Sequence, residues 1–577
     1  MIYGKLEVFM MKKTVAIGEQ DYETIRKNDF FYIDKTAFIK EWWDHKDRIT
    51  LITRPRRFGK TLNMSMLDCF FSVQYANRDD LFEGLSIWEE EEYRQLQGTY
   101  PVINLSFADI KATTFEEARL SICQVLSDIY NNLDMYLKNA NLSEKDTGFI
   151  NEVTREMSDD VAKRSLKKLS SLFEKIENKK VIILLDEYDT PLIEAYTHGY
   201  WKEMTEFMRG FFNATFKSNP SLYRGVMTGI TRISKESMFS DLNNLKVCTT
   251  TSKEYATCFG FTEEEVFASL DTYGYGEKKE AVKRWYDGFI FGNQKDMYNP
   301  WSIINFLRDG KLDAYWVNTS GNALVNQLIQ QGSSKIKEQM EDLLIGKSIF
   351  VPIDEEIVYN QLDATEEAIW SLLLASGYLK VLQVIEEDTF FGGIERTYEL
   401  ALTNVEVIQM FAKFIKGWFH NKGNSENYSA FLRCLHEHDI EGMNEYMNEV
   451  AITVFSCFDV AGNENTKQKP ENFYHGFVLG LLVELRKDYE VVSNRESGLG
   501  RYDVMLMPRD LTKDAFIFEF KVFRPIKEKT LEDTVQSALQ QIEDKKYVTS
   551  LLEKGIPKEN IYCYGFAFEG KKVLIGE

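Results

Sequence analysis

The stretch ITLITRPRRFGKTLNMSMLDCFF, Ile49 to Phe71, decides the fold of the N-terminal half. Its first five residues are apolar or β-branched, which suits a strand buried on both faces. From Thr61 onward it reads as a helix. Between the two lies RPRRFGKT, Arg54 to Thr61. The phosphate-loop pattern GxxxxGK[ST] is met at Gly59, Lys60 and Thr61 and departs at its first position, where Arg54 replaces glycine. A helix N-terminus offers free N–H groups and the positive end of its dipole to a phosphate. Gly59 lets the backbone approach closely. Lys60 is then expected to reach the β- and γ-phosphates, and the Thr61 hydroxyl to bind Mg²⁺. Arg54, Arg56 and Arg57 add positive charge, and the absent glycine predicts an opening turn of different shape.

Outward from this core, VINLSF (Val102–Phe107), VIILL (Val181–Leu185) and GVMTGIT (Gly225–Thr231) read as further buried strands. Helical stretches at Glu116–Leu133 and Trp201–Phe216 separate them. The alternation predicts an α/β fold, a parallel sheet with helices on both faces. KKVIILLDEYD places Asp186 and Glu187 at the C-terminal edge of a strand, where such sheets bind ligands. Asp186 is expected to hold Mg²⁺ through water, and Glu187 to polarise the attacking water. The plainer alternative is a pair of acids that ends a strand and caps the next helix. Thr228, Thr231 and Arg232 follow the next strand, where a polar side chain either senses a γ-phosphate or simply closes the strand.

The C-terminal region from about Glu471 reads as α-β-β-β-α-β. FIFEFKV puts Glu519 and Lys521 two residues apart, hence on one face of a strand, with Phe518 and Phe520 on the other. The preceding strand carries Asp503. The loop PRDLTKD centres on Leu511, eight residues from both Asp503 and Glu519. An antiparallel hairpin therefore makes the two acids cross-strand neighbours. Adjacent carboxylates need a cation between them, and hard oxygen ligands suit Mg²⁺ or Mn²⁺. Lys521 would orient a water for attack on a phosphodiester. The alternative is a surface Glu519–Lys521 ion pair with Asp503 solvated.

The chain has 577 residues, which at roughly 150 per domain predicts about four domains. With 44% hydrophobic and 14% aromatic residues it is not a disordered chain. Lys and Arg number 69 against 90 Asp and Glu, a formal charge of −21, so an overall basic nucleic-acid coat is excluded and only a local basic groove is left. Seven cysteines without a CxxC pair argue against a zinc ribbon or disulfide scaffold and fit a reducing, cytoplasmic compartment. No apolar run is long enough for a membrane span. The N-terminus lacks a signal-peptide core, and a start at Met11 would make residues 1–10 an extension.

From about Phe261 to Phe455 the pattern turns to helices with few strands. There a helix around Glu366–Ser376 precedes YLKVLQVI and RTYELALT, which suits either a winged helix or any helix packed on a hairpin. The aromatic motifs WYDGF, YNPWSI and YWVNTS read first as packing residues. His436 and His438, two apart on a helix, face different directions and form no site.

FFYIDKT (Phe30–Thr36), TRPRRFGKT, LLDEYDTPL and TGITRISKESMFSDLNNL, with those three aromatic motifs, resemble the bacterial AAA-ATPase-like family from about residue 14 to the C-terminus. The resemblance implies a P-loop NTPase that binds ATP and Mg²⁺, a helical middle with a winged-helix-like element, and a C-terminal PD-(D/E)xK nuclease-like domain. In that family an arginine-rich loop lacking the first glycine is usual. It further implies that Glu471, on the first helix of the last domain, completes the metal site and that Gln541 and Tyr547 lie near the substrate. The expected domains are a tail (1–20), the ATPase-like domain (21–260), the middle region (261–455) and the nuclease-like domain (456–577). The leading expectation is an ATP-dependent nuclease acting on DNA or RNA. The alternative is a nucleotide-gated switch that binds nucleic acid or a protein without cutting. A membrane partner is not expected, and an oligomer is allowed but not required.

Overall fold

Buried aliphatic and β-branched runs build one parallel sheet of five strands. These are β1 (Ile49–Thr53), β2 (Val102–Ser106), β3 (Val181–Asp186), β4 (Leu222–Gly229) and β5 (Leu245–Cys248), in the order β2-β3-β4-β1-β5. The computed structural model describes residues 12–133, 136–137, 140, 142–232, 242–317, 323–354, 366–388, 393–418, 429–459, 477–478, 480–481, 483–496, 501–525, 528–569 and 572–577. Every residue of β1 and β3 is buried, so both faces of the sheet are covered. The helices Lys60–Phe71, Phe115–Asn132, Asp159–Glu177 and Trp201–Phe212 flank the strands. Trp201–Phe212 runs on into a single wide turn at Asn213–Lys217.

Register aligns the ends that matter. Thr53 pairs with Gly229 and Ser106 with Asp186, so the loop after β1, the acids after β3 and the end of β4 share one edge. β5 is a short edge strand that the sequence pattern does not reveal, because four residues of mixed exposure carry no periodicity.

The chain forms two compact units, residues 1–319 with 350–406, and residues 320–349 with 407–577. In the first unit the stretch after residue 260 holds more strand than expected. β6 (Phe261–Thr262), β7 (Phe289–Phe291) and β8 (Gln294–Tyr298) form a small antiparallel sheet in the order β6-β8-β7. Runs of two or three residues are too short for a sequence period to register. β9 (Ile349–Pro352) joins the hairpin of β10 (Leu379–Asp388) and β11 (Ile394–Leu402) in the order β10-β11-β9. The helix Glu366–Ala375 precedes that hairpin, as expected.

The second unit contains β12 (Tyr489–Glu496), β13 (Arg501–Pro508), β14 (Ala515–Val522), β15 (Ile561–Glu569) and β16 (Lys572–Gly576) in sequential order. β14 and β15 are parallel; the other pairs are antiparallel. Two features depart from expectation. A fifth strand, β16, follows the last one read from the sequence. The long helix from Leu531 breaks at Lys546, whose φ of 55° is left-handed, into Leu531–Asp544 and Tyr547–Glu553. Gln541 and Tyr547 therefore do not share a helix. Among the described residues no helix is long and apolar enough to cross a membrane.

Candidate functional site

β1 delivers the chain to Arg54, and the helix Lys60–Phe71 starts immediately after Gly59, whose φ is 83°. Among the described residues a Cβ there would meet nothing within 4 Å, so the glycine is required by the backbone conformation and not by crowding. Lys60 is 4% exposed, and its ammonium donates to the carbonyls of Arg54 (3.1 Å) and Pro55 (3.0 Å). Glu187 Oε1 lies 3.9 Å from the same nitrogen. The Thr61 hydroxyl donates to Asp186 Oδ2 at 2.6 Å, and the Thr228 hydroxyl donates to Oδ1. The structure thus brings Lys60, Thr61, Asp186, Glu187 and Thr228 into one cluster.

Electrostatics fit a cation and phosphates there. Asp186 is 2% exposed, and burial together with the adjacent Glu187 charge pushes its carboxyl above the ordinary range. Two carboxylates beside a hydroxyl form a hard-oxygen set that suits Mg²⁺. Arg57 (φ 64°) and Glu187 (φ 53°) are both left-handed non-glycine residues, a conformation that costs about 1 kcal/mol each and collects at functional sites.

Arg54 corrects the sequence reading. Its side chain is fully buried and donates to the carbonyls of Thr53 (2.9 Å), Thr249 (2.7 Å) and Tyr255 (3.3 Å). Its guanidinium stacks 4.8 Å over the Phe291 ring, and burial lowers its pKa to about 10. Arg54 therefore braces the chain after β5, its guanidinium committed to backbone carbonyls. Arg57 is exposed, and its guanidinium lies 4.4 Å over the ring of Trp301. The Asn299 amide donates to the Arg56 carbonyl at 3.2 Å. YNPWSI thus grips the loop, while Tyr286 and Trp316 are buried packing residues, as expected. Arg232 lines a small cavity with Thr53, Thr249 and Ser371.

Asp189 is a residue that sequence reasoning missed. It is fully buried, and its Oδ2 accepts from Ile230 N (2.9 Å), Thr231 N (2.9 Å) and the Thr231 hydroxyl (3.0 Å). Burial and the nearby Glu187 raise its pKa to about 6. It ties the loop after β3 to the turn after β4. The repeated acid in DEYD was the available signal.

In the second unit Asp503 pairs with Glu519 and Arg501 with Lys521, the register predicted from the loop centre. Asp503 is described by its backbone alone, and Glu471 lies outside the described residues. Glu519 is fully buried. The Lys521 ammonium donates to the Ser537 carbonyl (2.6 Å) and hydroxyl (2.9 Å) on the helix Leu531–Asp544. Phe516, Phe518 and Phe520 stack on the other face, with Phe518 and Phe566 rings 5.5 Å apart. Glu519 pairs with Gly565 on β15, where a Cβ would stand 2.8 Å from the Val535 carbonyl. That glycine lets the helix close over the acidic face. One turn beyond Ser537, Gln541 is 8% exposed, and its Nε2 is buried with no hydrogen-bond partner among the described residues. Tyr547 opens the next helix and packs at the edge of the Ala515–Ile517–Ile542 core. Among the described residues no three His, Cys, Asp or Glu side chains are clustered for a metal. The donor set that would hold one is Glu519 with its register partner Asp503, two hard-oxygen ligands. His438 stacks on Tyr562 with centroids 3.7 Å apart, and His436 packs near Phe516.

Comparison with known proteins agrees with both halves. Residues 16–239 match the family model described as predicted AAA-ATPase. Residues 469–577 match the PD-(D/E)XK nuclease superfamily. Over 588 aligned residues, 97% of each chain, the protein is 24% identical to an uncharacterized protein in the vnfD 5' region of Azotobacter chroococcum mcd 1.

Proposed function

We propose that the chain binds Mg-ATP on the Arg54–Thr61 loop and cleaves DNA or RNA with a Mg²⁺- or Mn²⁺-dependent site on β13 and β14. The observation that carries the nucleotide half is the cluster of buried Lys60 and Asp186 with half-buried Thr61 and Glu187 at one sheet edge. Lys60 would exchange its two carbonyl contacts for phosphate oxygens. Thr61 and Asp186 would hold the cation, which neutralises phosphate charge when bound. Glu187, displaced from Lys60 by the nucleotide, would accept a proton from water. Thr228 fixes the orientation of Asp186.

For the nuclease half, the Asp503–Glu519 pairing with Lys521 on the same face supports the reading. Asp503 and Glu519, with Glu471, would hold a divalent ion, which stabilises charge on a phosphodiester when bound. Lys521, held by Ser537, would orient a water, and Gln541 and Tyr547 would lie toward the substrate. Cleavage of nucleic acid by the whole protein with Mg²⁺ or Mn²⁺, lost in Lys521→Ala, is the expected result; absence of cleavage of DNA and RNA with either metal overturns it.

The net charge of −21 favours a second reading, a nucleotide-gated switch that binds a partner without cutting. Tight ATP binding without cleavage selects it. The helix Glu366–Ala375 and the sheet order β10-β11-β9 support a winged-helix element, in which the strand before the helix pairs with the second hairpin strand.

A further inference from the structure

The described residues hold seven exposed large apolar side chains, and four of them, Phe350, Leu382, Val384 and Ile394, sit on the sheet β10-β11-β9, all within the first unit. Exposed apolar residues scattered singly need no explanation, but a local concentration marks an interaction surface. Strand order shows where it opens. β10 pairs with β11 alone, and among the described residues no strand covers its other edge. From Gln383 to Asp388 its pairing with β11 is regular. Natural proteins blunt such an edge with lysine, proline or a bulge. The one bulge of β10 lies between Val381 and Gln383, and the regular stretch beyond it holds neither lysine nor proline.

Register decides the shape of a partner. Val384 stands opposite Tyr398, which is buried together with Leu400, so Val384 shares their face of the hairpin. Its neighbour Ile385, half-buried, takes the other face. Leu382, in the bulge, is 48% exposed. Apolar side chains therefore border the open edge on both faces. A flat surface could cover only one of them, whereas an added strand, whose side chains alternate, covers both.

Charge decides the chemistry of that strand. Glu387 stands directly opposite Glu395, a like-charge pair that weakens the hairpin by itself. Arg396 pairs with Glu386 at 2.8 Å, while Glu387, Asp388 and Glu395 have no ion pair among the described residues. The Lys380 ammonium, near the far end of the strand, is committed to the Thr403 carbonyl at 3.0 Å. Relief must come from a cation brought from outside, and a phosphate backbone would add to the repulsion. A second copy of this edge supplies no cation either. Run antiparallel over Gln383–Asp388 it sets Glu387 against Val384, and run parallel it sets Glu387 against Glu387.

We propose that the outer edge of β10, Gln383–Asp388, receives an extended segment of a partner protein as an added strand, apolar beside Val384 and Ile385 and basic where it meets Glu387 and Glu395. The hairpin is then a protein-recognition element, independent of the phosphate-loop and nuclease readings.

The test uses the full chain and a fluorescent capped peptide of four Val-Lys repeats, with a Val-Glu peptide of the same length as control. Anisotropy should show the Val-Lys peptide binding at least roughly tenfold tighter than the control, since like charges across an interface cost several kcal/mol. Hydrogen exchange read by mass spectrometry should slow over Gln383–Asp388 when it binds. Val384→Lys and Glu387→Lys should each weaken it by roughly tenfold or more. Glu387→Lys also removes the like-charge pair, so its thermal midpoint should not fall. Circular dichroism checks that both variants fold, and the wild-type peptide comparison with its exchange pattern decides the question should either fail. No binding of the Val-Lys peptide, equal binding of the two peptides, or unchanged binding in both folded variants overturns the proposal. Exchange that slows over Gln383–Asp388 with a thymidine or uridine oligonucleotide, and not with the peptide, assigns the edge to nucleic acid and overturns it. Slowing there that rises with protein concentration alone assigns it to self-pairing and overturns it as well.

Discussion

Arg54 shows how one residue can leave a motif and still serve it. The general phosphate loop has glycine at this position, yet here a buried guanidinium satisfies carbonyls of Thr53, Thr249 and Tyr255. Restoring the glycine should therefore harm the protein. Arg54→Gly leaves those buried acceptors unpaired and is expected to cost about 3 kcal/mol, measured by urea unfolding. Equal stability of variant and wild type would refute the bracing role. Lys60→Ala acts at the same loop with the opposite signature. Its fold should survive, while ATP affinity falls by about a hundredfold or more in a calorimetric titration, an amount equal to about 3 kcal/mol. Asp189 is a positioning residue: among the described residues its Oδ2 accepts from the Ile230 and Thr231 amides and the Thr231 hydroxyl. Asp189→Asn should lower ATP turnover roughly tenfold while ATP affinity changes by less than about threefold. An equal loss in both would instead mark a structural role.

Elements carry these residues to their places, and register is the clearest case. Asp503 meets Glu519 only because β13 and β14 pair about Leu511. Side chains alternate along a strand, so a one-residue slip would turn Glu519 toward the aromatic face. The segment around Glu406 works differently. Its carboxylate accepts from the Ser302 hydroxyl (2.8 Å) and the Trp316 amide (2.6 Å), joining two aromatic motifs. Burial raises its pKa from 4.5 to about 7. A carboxyl whose folded pKa lies above its unfolded value stabilises most when protonated. That contribution is full below the unfolded value and is lost as pH rises through about 7. Glu406 should thus make the protein less stable at about pH 8 than at about pH 5, by on the order of 2 kcal/mol. Glu406→Gln should flatten that slope in thermal melts taken across the same range; an unchanged slope would assign it to other groups.

At the scale of the whole molecule, the two candidate sites occupy different compact units. Perturbations of sites built from separate residues add when the sites are not coupled. Lys521→Ala should therefore leave ATP affinity within about twofold while removing cleavage. Any control of cutting by nucleotide must then appear as a rate that changes with ATP in the wild type and stops changing in Lys60→Ala. Cleavage that ignores ATP in both proteins would separate the two activities.

The parallel sheet, the phosphate turn, the acids after β3 and the Asp503–Glu519 register follow from local rules: strand burial, loop symmetry and a period of two. Each depends on neighbours within a short stretch, so a linear reading suffices. Arg54, Asp189 and the cavity beside Gly59 do not. Arg54 meets Thr249 and Tyr255, Asp189 meets Thr231, and Ala16 lines one cavity with Ile304, each across a long span of chain. β5 and the strands β6 to β8 are equally silent, because their pairing partners, and not their few residues, make them strands. Long-range packing chooses which polar groups are buried together, and burial is what turns an arginine into a brace and an open corner of the sheet into a pocket.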